Sequence, residues 1–378
     1  MSREYDVVLL GASGFTGALT AEYLAKNAPA DLKWAVAGRN QQKLEVFGKD
    51  IIYADVTDPK SLQALAESTK VVATTVGPYV QYGEPLVAAC AEAGTDYVDL
   101  TGEPEFVDRM YVRYHERAVQ TGARMVHACG FDSIPYDLGV QYTVEQLPEH
   151  VPIQVDGLLR AGGRPSGGTF HTAITALSRP KQNLDAHRAR RQAEPRPDGR
   201  KAGAVGGRIH RQEGFWAVPL PTIDPQIVGY SARLLDSYGP DFRYSHYAAM
   251  RRLPMVAGGI GGMALLATAV QIPPVRNALL SRLKPGDGPS SERRARSWFN
   301  VRFVGRGGGK QVITEVAGGD PGYDETAKML GESALCLALD DLPETAGQTT
   351  TAAAMGPALR ERLVKAGMTF AILSTSEY

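Results

Sequence analysis

Three glycines in Gly11-Ala12-Ser13-Gly14-Phe15-Thr16-Gly17 follow the apolar run Val7-Val8-Leu9-Leu10 and open a helical pattern through Leu19, Tyr23 and Leu24. Strand, glycine turn and helix start, in that order, make an anion cradle. Gly11 permits the tight turn, Gly14 lets peptide N–H groups approach a pyrophosphate, and Gly17 allows the helix to pack closely on the strand. The phosphate charge then meets unpaired N–H groups and the dipole at the helix N-terminus. The GxxGxxG spacing of this turn is common among reductases that use NADP. The second apolar run ends in Ala37-Gly38-Arg39-Asn40. A carboxylate there would hold a ribose 2′-hydroxyl, whereas an Arg accommodates a 2′-phosphate. NADPH is therefore the expected cofactor. Asp55 is placed to meet the adenine edge or to cap a turn before Pro59. Gly77, Pro78 and Tyr79 end a fourth apolar run and are expected on the nicotinamide side.

Hydride transfer needs its reacting carbons about 3 to 3.5 Å apart and a donor for the negative charge that develops. Hydroxyl groups cluster after the fourth run, at Tyr79 and Tyr82, and in Cys129-Gly130-Phe131-Asp132-Ser133-Ile134-Pro135-Tyr136-Asp137. Tyr79, Ser133 and Tyr136 are the candidate catalytic donors. Tyr79 alternatively packs against nicotinamide or substrate, and Asp132 and Ser133 alternatively cap a helix opening near Pro135. Asp99, Glu103, His127 and His171 are further acid–base candidates. No Ser/His/Asp triad or HExxH signal exists, so hydrolase chemistry is unsupported. Cys90, Cys129 and Cys336 lie far apart with no CxxC or Cys/His spacing, which argues against a disulfide framework and leaves no expected metal site.

These groups need strands to carry them. Strands are predicted at Asp6 to Leu10, Lys33 to Ala37, Ile51 to Asp55, Val71 to Val76, Asp96 to Asp99 and Arg124 to His127. Amphipathic helices are predicted at Gly14 to Lys26, Gln41 to Phe47, Pro59 to Glu67, Gly83 to Ala93 and Pro104 to Thr121. That alternation is the pattern of a Rossmann-type, doubly wound parallel sheet. It gives an NADP-binding domain over 1–135. Beyond it the alternation is lost, and 136–325 is expected as an α+β substrate or oligomerisation domain. Strands are expected there at Ile153 to Ala161, Trp298 to Val304 and Gln311 to Ala317. Residues 185–211 carry eight Lys/Arg against three Asp/Glu among prolines and glycines, which reads as a mobile basic loop. A helical segment over 326–378 is expected to return to the first domain.

Lys+Arg and Asp+Glu balance at 41 each, so the basic excess of a nucleic-acid-binding domain is absent. Glycine, 41 of 378 residues, exceeds the usual level of about 7%. The charged residues Arg3, Glu4 and Asp6 leave no room for a signal-peptide core, so a cytoplasmic location is expected. The longest apolar stretch, Val256 to Val270, has 15 residues and four glycines, short of the roughly 20 that a membrane span needs. A buried helix is the better reading of it, with peripheral membrane contact as the alternative.

GASGFTG, AGRN, TTVGPY, YVDLTGE and CGFDSIPYDLG, followed by GGTFH, PGDGPS, GGDPGYDETAKML and TAAAMG, resemble the saccharopine-dehydrogenase-like family over nearly the whole chain. Within it the chain looks most similar to actinobacterial trans-acting enoyl reductases. The resemblance implies NADPH-dependent reduction of an enoyl thioester held on an acyl carrier domain of a polyketide synthase in lipid biosynthesis. It places Gly11, Ser13, Gly14, Phe15 and Thr16 in the cofactor loop, Arg39 at the 2′-phosphate and Gly77 to Tyr79 at the nicotinamide, and transfers no catalytic residue. Arg188, Arg190, Arg191, Arg196 and Arg200 would then dock the acidic carrier, and a homodimer is compatible with the second domain. One alternative is a saccharopine-type amino-acid dehydrogenase clamping a dicarboxylate with Arg160, Arg164 and Arg179. Trp216, Tyr230, Tyr244 and Tyr247 suit a long acyl chain better. The other alternative is a non-catalytic, lipid-associated dinucleotide-binding protein.

Overall fold

A computed structural model describes residues 3–162, 167–282 and 288–378. Among the described residues fifteen strands run in chain order: β1 Tyr5–Leu10, β2 Trp34–Gly38, β3 Ile51–Tyr53, β4 Thr69–Thr74, β5 Asp96–Asp99, β6 Arg124–Val126, β7 Ile153–Gly162, β8 Lys201–Ala204, β9 His210–Gln212, β10 Phe215–Pro219, β11 Asp241–Met250, β12 Trp298–Gly307, β13 Lys310–Gly318, β14 Gly347–Thr349 and β15 Thr369–Glu377. The first sheet has the order β14-β6-β5-β4-β1-β2-β3 and every pairing is parallel. Its central strands β1, β2, β4 and β5 are buried on both faces. Val7 and Leu9 enter one apolar core while Val8 and Leu10 enter the other, as the two-residue period of a strand requires. The strand order reverses beside β1, between β2 and β4. In sheets of this kind the crevice for a ligand opens at that point.

The second sheet has eight strands in the order β15-β13-β12-β7-β11-β10-β9, with β8 also paired to β11. It is mixed: β7 and β8 run parallel to β11, and the remaining pairs are antiparallel. The helix Ile134–Val144 joins the two sheets, packing on β12 and β13. It is buried along almost its entire length, with Tyr136, Leu138 and Val140 in the core that also holds Val7 and Phe303.

Three segments differ from the sequence expectation. Residues 185–211 are not one loop: the helix Pro180–Ala193 runs into them, followed by β8 and the start of β9. That helix packs on the helix Pro104–Thr121 because Arg190, 2% exposed, pairs with Asp108 at 3.1 Å and with Glu194 at 2.9 Å. The last 53 residues are not only helical. The helix Asp324–Leu339 does pack on Phe15–Asn27, but β14 then extends the first sheet and β15 the second. A three-residue strand and an exposed edge strand leave little periodic signal. Finally, the helix Leu253–Ala269 is not buried. Leu253, Met255, Met263 and Leu265 are exposed, Leu265 at 72%. Together with Pro273–Ser281 it forms a bent apolar pair, and no single helix among the described residues is long and apolar enough to cross a membrane.

Candidate active site

A cavity of about 650 Å³ opens over the carboxyl ends of β1, β4 and β5 and extends to the second sheet. Its first wall is the loop Ser13 to Gly17. Gly11 has φ +98°, and its N–H bonds to Ala37 O at 3.1 Å while Thr75 Oγ1 donates to its carbonyl at 3.2 Å. A Cβ on Gly17 would lie 2.1 Å from that same carbonyl, so only glycine lets the helix sit this low on the strand. The helix Phe15–Asn27 starts at Gly14 with no side-chain cap and no acid in its first turn. Its first N–H groups have no intrahelical partner, which fits a pyrophosphate. The Phe15 ring is engaged elsewhere. It lies edge-on to Tyr323 at 4.9 Å, under the Arg294 guanidinium, and so ties the loop to the chain before Asp324–Leu339.

A second cleft, of about 640 Å³, is lined by Arg39, Asn40, Gln41, Gln42, Tyr53 and Asp55. No carboxylate follows β2, and exposed Arg39 stands where a 2′-phosphate would be met. Asp55 is occupied locally: its Oδ1 accepts from the N–H of Thr57 at 2.9 Å and from its hydroxyl at 2.8 Å. Those bonds, aided by Arg39, hold its carboxyl below the usual range. Asp55 shapes the cleft as a turn residue.

The floor is the turn after β4. Gly77 and Pro78 line the cavity through a cis peptide bond, and Tyr79 follows. Tyr79 was a candidate proton donor, but its hydroxyl donates to Thr74 O at 3.1 Å and accepts from Leu100 N–H at 3.1 Å. Burial pushes the phenol well above its ordinary range. Its proton is spent inside the protein, so the side chain shapes the turn. Glu103 does the same from the other side, accepting from the N–H groups of Tyr79 at 3.0 Å and Val80 at 2.7 Å. Asp99 is a buried hub, bonded to Tyr97, Thr101 N–H, Ala128 N–H and His127 Nδ1 at 2.7 Å. His127 packs between Tyr97 and Phe106, off the cavity.

Of the Cys129–Asp137 group, Gly130, Phe131, Asp132 and Tyr136 line the cavity and Ser133 does not. The Ser133 hydroxyl is fully buried, has no hydrogen-bond partner and makes no cap at the helix Ile134–Val144. It therefore serves neither the catalytic nor the capping role. Asp137 is bonded to Ser231, Thr351 and Ala352 N–H, tying this helix to the segment around β14. Tyr136 presents itself to the cavity between Phe131 and His246. Burial raises the Asp132 carboxyl to about 6.

The far wall comes from Gly167, Gly168, His171 and Thr172 of the helix Gly167–Ser178, from Leu159 and Ala161 of β7, and from Leu220, Thr222 and Asp224. The last three carried no motif in the sequence. No Arg or Lys lines the cavity among the described residues. Arg179 is bound to Glu105 at 2.7 and 2.8 Å, Arg160 stacks on Phe215 and Trp298, and Arg164 lies outside the described residues. The aromatic residues expected along an acyl chain are also elsewhere: Tyr230 donates to Gln348 O, Tyr244 bonds His246, Tyr247 packs on His210, and Arg211 stacks on Trp216.

Fold and cleft together define a dinucleotide-dependent oxidoreductase with a second, mixed sheet. Residues 7–126 match the family model of the saccharopine dehydrogenase NADP binding domain. Over 409 aligned residues the chain is 40% identical to a Mycobacterium tuberculosis protein provisionally named a trans-acting enoyl reductase, covering 97% of each chain. It is 37% identical to a trans-acting enoyl reductase of Mycobacterium ulcerans, again over 97% of each. Apo saccharopine dehydrogenase (L-Glu forming) from Saccharomyces cerevisiae shares the fold, with a TM-score of 0.54 at 14% identity over 99% of this chain and 100% of that one. The chain belongs to the trans-acting enoyl reductase family and is an NADP-dependent oxidoreductase.

Proposed function

We propose that the protein reduces an α,β-unsaturated acyl thioester with NADPH, acting in trans on a chain carried by a polyketide synthase in lipid biosynthesis. The observation that carries this reading is the lining of the cavity. Leu100, Phe131, Leu159 and Leu220 give it an apolar wall, its carboxyl groups are Glu103, Asp132 and Asp224, its one imidazole is His171, and no Arg or Lys faces it among the described residues. An amino dicarboxylate would need converging cations in such a cleft, because buried charge without a partner is costly. A neutral thioester needs none. When bound, NADPH supplies the hydride. The N–H groups of Phe15, Thr16 and Gly17 would hold its pyrophosphate, Arg39 would meet its 2′-phosphate, and Gly77 and Pro78 would stand on the nicotinamide side. The test is titration with NADPH and NADH, followed by a pantetheine-linked enoyl thioester while reduced cofactor is monitored. Preference for NADPH and thioester-dependent oxidation are expected. NADPH binding with no oxidation across short and long acyl pantetheines and a carrier-bound substrate would sink the reading.

Arg188, Arg191 and Arg196 stay exposed for an acidic carrier protein, whereas Arg190 is buried and Arg200 is bound to Asp236 and to the carbonyls of Ala232 and Leu235. Carrier docking should then weaken with salt. Three buried free thiols accord with a reducing cytoplasm. The exposed apolar face of Leu253–Ala269 favours peripheral membrane contact, and co-sedimentation with vesicles is its check.

A further inference from the structure

Reduction of a carbon–carbon double bond needs a proton as well as a hydride, so some group on the cavity must release one. Most of the groups near it are engaged or sealed. Tyr79 spends its hydroxyl on Thr74 O and Leu100 N–H, Glu103 accepts from two backbone N–H groups, and the Ser133 hydroxyl and the Oδ1 of Asp224 are closed off. Asp132 differs from all of these. It lines the cavity, is half-buried, and neither of its oxygens is among the sealed, partnerless atoms of the described residues. No hydrogen bond or cation within the described residues occupies its carboxylate, and burial by itself raises it to about 6.

The chain builds this position deliberately. Asp132 is the third residue of the turn Gly130–Ser133, which the Ser133 N–H closes on Gly130 O at 3.2 Å, and the Phe131 N–H pins the turn to Thr326 Oγ1 at 3.2 Å. The carboxyl then lies over Gly102. A Cβ there would stand 3.0 Å from Asp132 Oδ2 and 3.2 Å from Thr172 Cγ2, so the missing side chain leaves the space in which Asp132 meets the far wall. Asp132 does not cap the helix Ile134–Val144, whose N-terminus has no side-chain bond. A half-buried carboxylate that holds nothing costs free energy and stabilises nothing around it. Such a group in a cleft, with its proton affinity moved towards neutrality, is suited to exchange a proton with a ligand.

We propose that Asp132 is the general acid of the site, delivering its carboxyl proton to the α-carbon of the acyl thioester. The proposal rests on the enoyl thioester reading. Asp132 follows β6 and the Gly77–Pro78 turn follows β4, so one sheet carries both, two strand spacings or roughly 10 Å apart. Hydride addition at the β-carbon leaves an enolate; its electron pair forms the new C–H bond at the α-carbon as the Asp132 O–H bond breaks. The carboxylate left behind takes a proton from water once product has gone. Cofactor and acyl chain displace water from the cavity, which disfavours the charged form and keeps the proton on Asp132 until the enolate arrives.

The titratable groups that share the cavity are Tyr79 and Glu103 from the turns after β4 and β5, Tyr136 from the helix Ile134–Val144, His171 from Gly167–Ser178, Asp224 from Asp224–Leu234, and Tyr323. Asp132→Asn preserves size. It should keep NADPH affinity within threefold and lower kcat by about 100-fold to 10,000-fold, the usual contribution of a general acid. Wild-type kcat/KM should fall as pH rises through about 6, and the residual activity of Asp132→Asn should lack that limb. In D2O the wild type should place deuterium on one face of the α-carbon, whereas Asp132→Asn, whose enolate is protonated by solvent, should label both. Asp132→Glu should restore part of kcat and the single-face label. Because the carboxylate holds no partner, Asp132→Asn should melt no lower than wild type at pH 8; a lower melting point makes Asp132 structural and overturns the assignment. So does kcat within threefold of wild type, an unchanged limb, or loss of the single-face label in His171→Gln and not in Asp132→Asn. The wild-type profile needs no variant: kcat/KM level from pH 5 to pH 8 overturns it as well. A wild type that oxidises no NADPH with any enoyl thioester overturns the reaction reading and this step with it, whereas oxidation that Asp132→Asn leaves intact overturns this step alone.

Discussion

The Ser13–Gly17 end of the cavity is a glycine turn that offers backbone, and the Leu220–Asp224 end is a wall that draws its residues from several elements. The loop is proposed to hold a pyrophosphate through peptide N–H groups, and Gly11 and Gly17 are fixed by distances that leave no space for a Cβ. The far wall is assembled from β7, the helix Gly167–Ser178, the chain before Asp224–Leu234 and, behind it, β11. A backbone site tolerates no change of shape but much change of side chain elsewhere. A side-chain site has the reverse sensitivity, and substitutions should separate the two.

The largest effect belongs to Gly17→Ala. Its Cβ would sit 2.1 Å from Gly11 O, so overpacking of about 3 kcal/mol is expected, with at least about 100-fold loss of NADPH affinity. Calorimetric titration and thermal melting check both. Next is Arg39→Ala, which removes a charge-assisted bond to a 2′-phosphate worth about 1.5 to 3 kcal/mol, or about 10- to 100-fold. NADPH affinity should fall and NADH affinity stay the same; equal loss for both would place the 2′-phosphate elsewhere.

Tyr79→Phe comes third and sharpens the contrast, because Tyr79 lies between the two ends. It should destabilise the fold by about 1 to 3 kcal/mol, since Thr74 O and Leu100 N–H lose their partner. It should change kcat by less than about threefold, far below the loss that removal of a general acid produces. A large kcat loss with normal urea stability would restore Tyr79 as the donor. The effect that is smallest at neutral pH concerns His246, because it grows only as the solution is acidified. Its folded pKa is about 3 while an unfolded histidine titrates near 6.5, so the unfolded chain binds more protons between those values. This contribution to stability is intact above about pH 6.5 and declines as pH falls, by at most about 1.4 kcal/mol per pH unit. Urea midpoints measured from pH 7 to pH 4 should fall less steeply in His246→Gln.

The same contrast explains what was legible in the sequence. Glycine spacing, the residue after β2 and the alternation of apolar runs are local, and they located the parallel sheet, the loop and Arg39. Asp224 and Leu220 reach the cavity only because β10 and β11 fold back against β7, and no spacing within the chain records that approach. Tyr79 and Ser133 were visible as hydroxyls at strand ends, but whether a hydroxyl is free depends on Thr74, Leu100 and the packing around them. Arg190 read as part of a basic run because Asp108, its partner on the helix Pro104–Thr121, is 82 positions away.

The central claim is that this cavity passes hydride to carbon in an uncharged thioester. It is tested most directly by incubating the protein with each of the two C4-deuterated epimers of NADPH and a pantetheine-linked enoyl thioester, then reading the product by mass spectrometry and NMR. One epimer should place a single deuterium at the β-carbon and none at the α-carbon. Absence of label from the acyl chain with both epimers, together with NADP-dependent oxidation of an amino dicarboxylate, would contradict it.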